Sequence, residues 1–126
     1  MANEEQLRIL KKGVKTWNEW RKKNPNEKID LRGVDLWKED LRKVDFRDAD
    51  LRRADLRAAD LRKANLRGAD CWNGDFREAN LIGAFLSNTN FKSANLWQAD
   101  LRESDMTGAD TRDANLTGAN LSGVRK

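Results

Sequence analysis

The 126-residue chain contains no histidine and no tyrosine, one cysteine, one proline and no continuous apolar run. Each scarcity excludes something. A single cysteine cannot form an internal disulfide, and it leaves the redox compartment open. Without histidine there is no ready base to activate a nucleophile. Met1 to Trp20 alternates charged with apolar residues, so neither a signal peptide nor a membrane span is expected, and the cytoplasm is the expected compartment. Charge of one sign is scarce too. The formal surplus of +4 lies wholly in residues 1–29, which hold eight basic and four acidic side chains, while residues 30–126 hold 17 of each. A footprint for DNA or RNA needs clustered cations, and this excess is modest and confined to the leader.

What is present is a period. Every fifth residue from 31 onward reads Leu31, Leu36, Leu41, Phe46, Leu51, Leu56, Leu61, Leu66, Cys71, Phe76, Leu81, Leu86, Phe91, Leu96, Leu101, Met106, Thr111, Leu116, Leu121. Two residues before each stands a small one, mostly Ala, and one residue before stands Asp or Asn in every repeat except that of Phe85. A period of five fits neither the 3.6 of a helix nor the 2 of a strand, so the chain must turn after each short segment. Sustained repetition of this kind signals a solenoid, in which the few apolar residues suffice because each stacks on its copy in the next coil.

The motif A(D/N)LXX, as in Ala54-Asp55-Leu56-Arg57 and Ala64-Asn65-Leu66-Arg67, resembles the pentapeptide-repeat family over about three quarters of the chain. The resemblance implies an all-β solenoid, a right-handed quadrilateral parallel β-helix with four repeats per coil and the Leu and small positions inward. Residues 20 apart would then stack about 4.8 Å apart, giving just under five coils and a rod of roughly 23 Å. Residues 1–29 form a capping helix and linker, and residues 30–126 the β-helix. The column Leu31, Leu51, Cys71, Phe91, Thr111 puts its ring between its two smallest members, and Gly74 precedes Phe76 where Ala is usual. Both suggest volume compensation. Cys71 is in phase with the core and is expected to pack, not to react. The aspartates are expected to bond turn backbone; neither a metal site nor a cofactor is expected.

Residues 3–23 read as one amphipathic helix, with Asn3 as N-cap and Gln6 completing a capping box. Leu7, Ile9, Leu10, Val14, Trp17 and Trp20 fall within an arc of about 160°. Asn24-Pro25 stops the helix. That face is expected to cover the first coil, with Glu39, the lone charge at a small position, meeting it; a basic helix lying on a membrane is the alternative. At the other end only Val124, Arg125 and Lys126 follow the last repeat, so the final coil is expected to be uncovered and able to pair weakly with a second copy, as in some members of the family.

The position after each Leu carries a ladder of arginines, as a rule two residues after an Asp, as Arg57 after Asp55. Departures stand out: Phe85 in the Asp/Asn ladder, and Trp72, Ile82, Trp37 and Trp97 in the Arg ladder. Exposed aromatic and Arg together is the composition of interface hot spots, so Trp72, Ile82 and Phe85 read as one off-pattern patch and Trp37, Arg57, Arg77 and Trp97 as one column. With no loop long enough for a pocket, no enzyme is expected. The expected function is a non-catalytic structural or protein-interaction rod. Alternatives are a DNA mimic protecting a type II topoisomerase, which the resemblance suggests but for longer, acidic rods, and a weak nucleic-acid binder through the Arg and Trp columns. The resemblance also implies a cyanobacterial-like member.

Overall fold

The computed structural model describes residues 2–126. Helix among them is confined to α1 (Glu4–Lys11) and α2 (Val14–Lys23). From Asp30 onward every fifth residue forms one parallel bridge with the residue 20 further on, from Asp30↔Asp50 to Asp105↔Arg125. A coil therefore holds four repeats. Multi-residue strands are absent from the described residues, because only one residue in five bridges before the chain turns again.

The repeat Asp55–Ala59 shows why the motif is five residues long. Asp55 N–H donates back to Val34 O of the preceding coil (2.8 Å), and Leu56 and Ala58 donate forward to Asp75 O (2.8 Å) and Arg77 O (2.9 Å). Ala59 N–H closes a turn on Leu56 O at 3.1 Å. The remaining donor, Arg57 N–H, is accepted by Asp55 Oδ1 at 3.1 Å. All five donors are used, which is what a chain with this little regular structure requires of its backbone.

The closing turn puts its third residue in the left-handed region in all 19 repeats, with φ from 56° to 74°. This is a type II turn, which normally calls for glycine there. Only six of these residues are glycine, and Lys38, Arg53, Ala58 and others take the strain instead. Left-handed backbone costs an L-residue about 1–2 kcal/mol. The forward hydrogen bond from that same residue, as at Ala58, offsets it.

Leu and small positions both face inward: Leu31 through Leu101 are buried at the first, and Ala49 through Ala99 at the second. Phe76 and Phe91 meet edge to face with centroids 5.4 Å apart. A Cβ on Gly74 would lie 2.8 Å from Phe76 Cε1 and 3.0 Å from Cys71 O, so the ring takes the volume that Ala fills elsewhere. Two small positions carry hydroxyls: Thr89 Oγ1 donates to Leu66 O at 2.7 Å, whereas Ser104 Oγ is buried with no partner.

The single helix expected over residues 3–23 is two. Gly13, at φ 115°, breaks it, a backbone region closed to side-chain-bearing residues. Asn3 Oδ1 does cap Gln6 N–H at 3.0 Å, but Gln6 does not complete a capping box. Its Oε1 accepts from Asp30 N–H and its Nε2 donates to Lys28 O, both at 2.8 Å. Asn18 repeats the device, accepting from Asp45 N–H (2.8 Å) and donating to Lys43 O (3.0 Å). Each amide oxygen takes the place that a preceding coil's carbonyl fills elsewhere, as Val34 O does for Asp55 N–H, and each amide nitrogen ties down a carbonyl that no coil-to-coil bond uses. Asn3 N–H reaches Asp30 O at 2.8 Å, while Trp17 Nε1 (2.8 Å) and Arg21 (2.9 Å) reach Asp45 O. Ile9, Leu10 and Trp17 are buried in the shared core; Leu7, Val14 and Trp20 pack partly against it. Lys11 Nζ stands 3.5 Å from Glu39, the charge at a small position.

Asn18→Ala leaves Asp45 N–H and Lys43 O without these partners. It should cost about 1–3 kcal/mol in urea unfolding and speed amide exchange at Asp45 before exchange elsewhere in the rod. Opposite signs are expected at two small positions. Gly74→Ala should destabilise by about 1–3 kcal/mol through overpacking, and Ser104→Ala should stabilise by about 1 kcal/mol by removing the orphan hydroxyl; denaturation midpoints check both.

Candidate interaction surface

The surface is a lattice built on the motif's polar residue. In 18 repeats the Asp or Asn Oδ1 accepts the N–H two residues on, at 2.9–3.3 Å. In nine of them an Arg at that second position also forks back onto the carboxylate, as Arg57 Nε to Asp55 Oδ1 (2.8 Å) and Nη2 to Oδ2 (2.7 Å). Four arginines also stand 3.7–3.9 Å from the ladder aspartate 18 residues on, in the next coil. The arginine hydrogen bonds hold the Asp30, Asp40 and Asp110 carboxyls down at about 2.

Cys71 is fully buried, and burial pushes its thiol up, away from the thiolate that chemistry needs. Among the described residues no group of acidic or cysteine side chains could hold a metal, and no helix is long and apolar enough to cross a membrane.

The off-pattern residues fall in three places. Trp37, Arg57, Arg77 and Trp97 share one column, their ladder partners bridged in register, and they line a shallow groove of about 270 Å³ with Lys38, Ala58 and Glu78. Trp37 is 52% exposed and Trp97 39%, so the aromatic groups bracket two arginines that are locked by their own aspartates. Lys38 Nζ lies 4.6 Å from the Trp37 ring centroid. Trp72, Ile82 and Phe85 are not one patch. Trp72 is half-buried beside α1 in a groove with Leu7 and Val34, under the Arg53 guanidinium at 5.0 Å. Ile82 and Phe85 lie ten or more residues further along a 20-residue coil, on different bridge columns. The 20-residue stacking expected from the sequence already sets residues 72, 82 and 85 on three different columns, so the signal against one patch lay in their numbering.

One residue that sequence reasoning left among the forked arginines behaves differently. Arg67 follows Asn65, not an Asp, so it has no fork; its guanidinium lies 4.4 Å over the Phe85 ring. The signal was there in the neutral partner, at a position grouped with the rest.

Pentapeptide repeats match the chain in 8 copies over residues 28–62, 59–98, 74–108 and 95–125. The chain belongs to the pentapeptide repeat family. Its structure is similar to that of HetL, a pentapeptide repeat protein involved in heterocyst differentiation regulation from the cyanobacterium Nostoc sp. strain PCC 7120. The identity is 38% and the TM-score 0.72, over 75% of this chain and 45% of HetL. A pentapeptide repeat protein of the Arabidopsis thaliana thylakoid lumen is 29% identical over 71% of this chain and 66% of its own, with a TM-score of 0.51. Rfr23 of the cyanobacterium Cyanothece 51142 is 25% identical over 75% and 82%, with a TM-score of 0.51. This chain therefore spans less than half the length of HetL. Among curated proteins none matches it. The family's fold is the right-handed β-helix, and the cyanobacterial neighbours agree with the resemblance seen in the repeats.

The depressed aspartates predict the acid limit of this pentapeptide rod. A carboxyl whose folded value lies below the unfolded one of about 3.9 contributes stability that is present above that value and lost as pH falls toward the folded value. With Asp30, Asp40 and Asp110 at about 2, the melting temperature should hold from neutral pH to about 5 and fall between about 4 and 2. Asp40→Asn, which keeps an acceptor for Arg42 N–H and loses the charge, should reduce that fall.

Proposed function

We propose that this chain is a non-catalytic protein-interaction rod. In this reading it is a quadrilateral β-helix of just under five coils, closed at one end by α1 and α2, working in the cytoplasm through the face that carries Trp37 and Trp97. The observation that supports it is the placement of two exposed tryptophans on one column around Arg57 and Arg77. Neither ring fills the core, and both would be costly to leave in water without use. Trp and Arg are the side chains on which interface energy concentrates.

The lattice disfavours the other readings. A surface imitating duplex DNA needs rows of unneutralised carboxylates, and nine of the ladder aspartates are forked by arginine. The same forks consume the cations that a nucleic-acid binder would offer to phosphate. HetL's involvement in regulation of differentiation fits a protein that acts by contact.

A nuclease-treated pulldown from native host lysate, comparing the chain with a Trp37→Arg, Trp97→Arg variant, tests the reading. A partner held by the unaltered chain and lost by the variant is the expected result, each truncated anchor costing about 2 kcal/mol or more. Equal retention by both would move the function off this face.

A further inference from the structure

Of the 19 repeats, one leaves its turn donor without an acceptor. Phe85 stands where Asp or Asn accepts the N–H two residues on, and among the described residues Ser87 N–H has no hydrogen-bond partner. The Ser87 carbonyl still accepts from Gly68 N–H at 3.1 Å, so the fold of the turn is kept and only the side-chain acceptor is gone.

A second exception meets the first. Arg67 precedes Phe85 by 18 residues, the offset at which Arg57 stands 3.9 Å from Asp75 and Arg42 3.7 Å from Asp60. In four repeats that offset brings a guanidinium to a carboxylate; here it brings one to a ring, at 4.4 Å. Because Asn65 is neutral, no carboxylate of the described residues pairs with Arg67 within ion-pair distance. The next ladder carboxylate, Asp105, is occupied by Thr107, whose N–H and hydroxyl donate to it at 3.0 and 2.7 Å. Ser87, one step along the column from Arg67, replaces an arginine and adds a hydroxyl.

We propose that Arg67, Phe85 and Ser87 form a docking site for the carboxylate of an exposed Glu or Asp on a protein partner. The incoming carboxylate takes the role that the ladder Asp plays in the other repeats. One oxygen accepts Ser87 N–H and the other the free edge of the Arg67 guanidinium, which stacking on Phe85 holds in place. Charge-assisted bonds of this kind are about twice as strong as neutral ones. Phe85, 38% exposed, with half-buried Ile82 three residues before it, covers apolar side chains flanking the acid. A protein segment fits this site better than a bare anion, because the ring rewards apolar neighbours. The site lies on a different column from Trp37 and Trp97, so it does not rest on the role proposed for that face.

The test is a titration of the 15N-labelled chain with the capped peptide acetyl-Gly-Leu-Glu-Leu-Gly-amide, following the Ser87 backbone amide and the Arg67 side-chain Nε–H. Both signals should move saturably, and the peptide with Gln in place of Glu should bind at least about tenfold more weakly. Phe85→Asp, which returns an acceptor to the chain itself, should abolish the response, as should Arg67→Gln, a surface change whose dispersed spectrum shows that the rod is folded. The proposal is overturned by any of three results: no saturable shift at these two groups, equal binding of the Gln peptide, or undiminished binding by Arg67→Gln. Sodium acetate at matched ionic strength binding as tightly as the peptide would reduce the site to a small-anion contact and likewise overturn it. Since the readout is local to Ser87 and Arg67, it is separable from the pulldown on the tryptophan face.

Discussion

Everything in this rod follows from finding acceptors for five backbone N–H groups in a five-residue repeat. Three go to neighbouring coils and one closes the turn, as in Asp55–Ala59. The last has only a side chain to turn to, and that side chain must be short, polar and one residue before the leucine. The Asp/Asn ladder is thus part of the backbone's hydrogen bonding, carried on side chains. Stacking at 20 residues then places each leucine on another, and the core closes without long strands.

The same constraint shapes the end of the rod that is covered. A first coil presents donors and acceptors that no earlier coil can meet, and an exposed sheet edge invites unwanted pairing. Gln6 and Asn18 answer with amide oxygens that accept the Asp30 and Asp45 N–H groups on two of the bridge columns. Trp17 seals the core beneath them, its ring edge-on to Phe46 at 6.0 Å and its N–H on Asp45 O. Apolar cover and edge termination come from the same two short helices, and the break at Gly13 lets each helix meet its own side of the coil.

Charge plays a quieter part. Exposed ion pairs are individually weak, and nine repeated forks do not amount to a strong brace. Their larger effect is to match charges row by row, so that a highly charged chain stays nearly neutral along the rod. Against that background the exceptions gain meaning: rings at Trp37 and Trp97 where guanidiniums are usual, and a guanidinium at Arg67 without its carboxylate.

The period of five, the inward leucines and small residues, the neutral balance of the rod and the buried place of Cys71 were legible in the sequence, because each is a property of phase and phase is written into the order of residues. The column of Trp37, Arg57, Arg77 and Trp97 was legible for the same reason. The left-handed turn residue was not, since only six of its 19 positions are glycine and the strain on the others is offset by bonds to another coil. Nor were the work of Gln6 and Asn18, the split at Gly13 into two helices, or the stacking of Arg67 on the Phe85 ring. Each of these depends on which atoms of distant coils and helices come within hydrogen-bonding or stacking reach, and only the wound tertiary structure decides that.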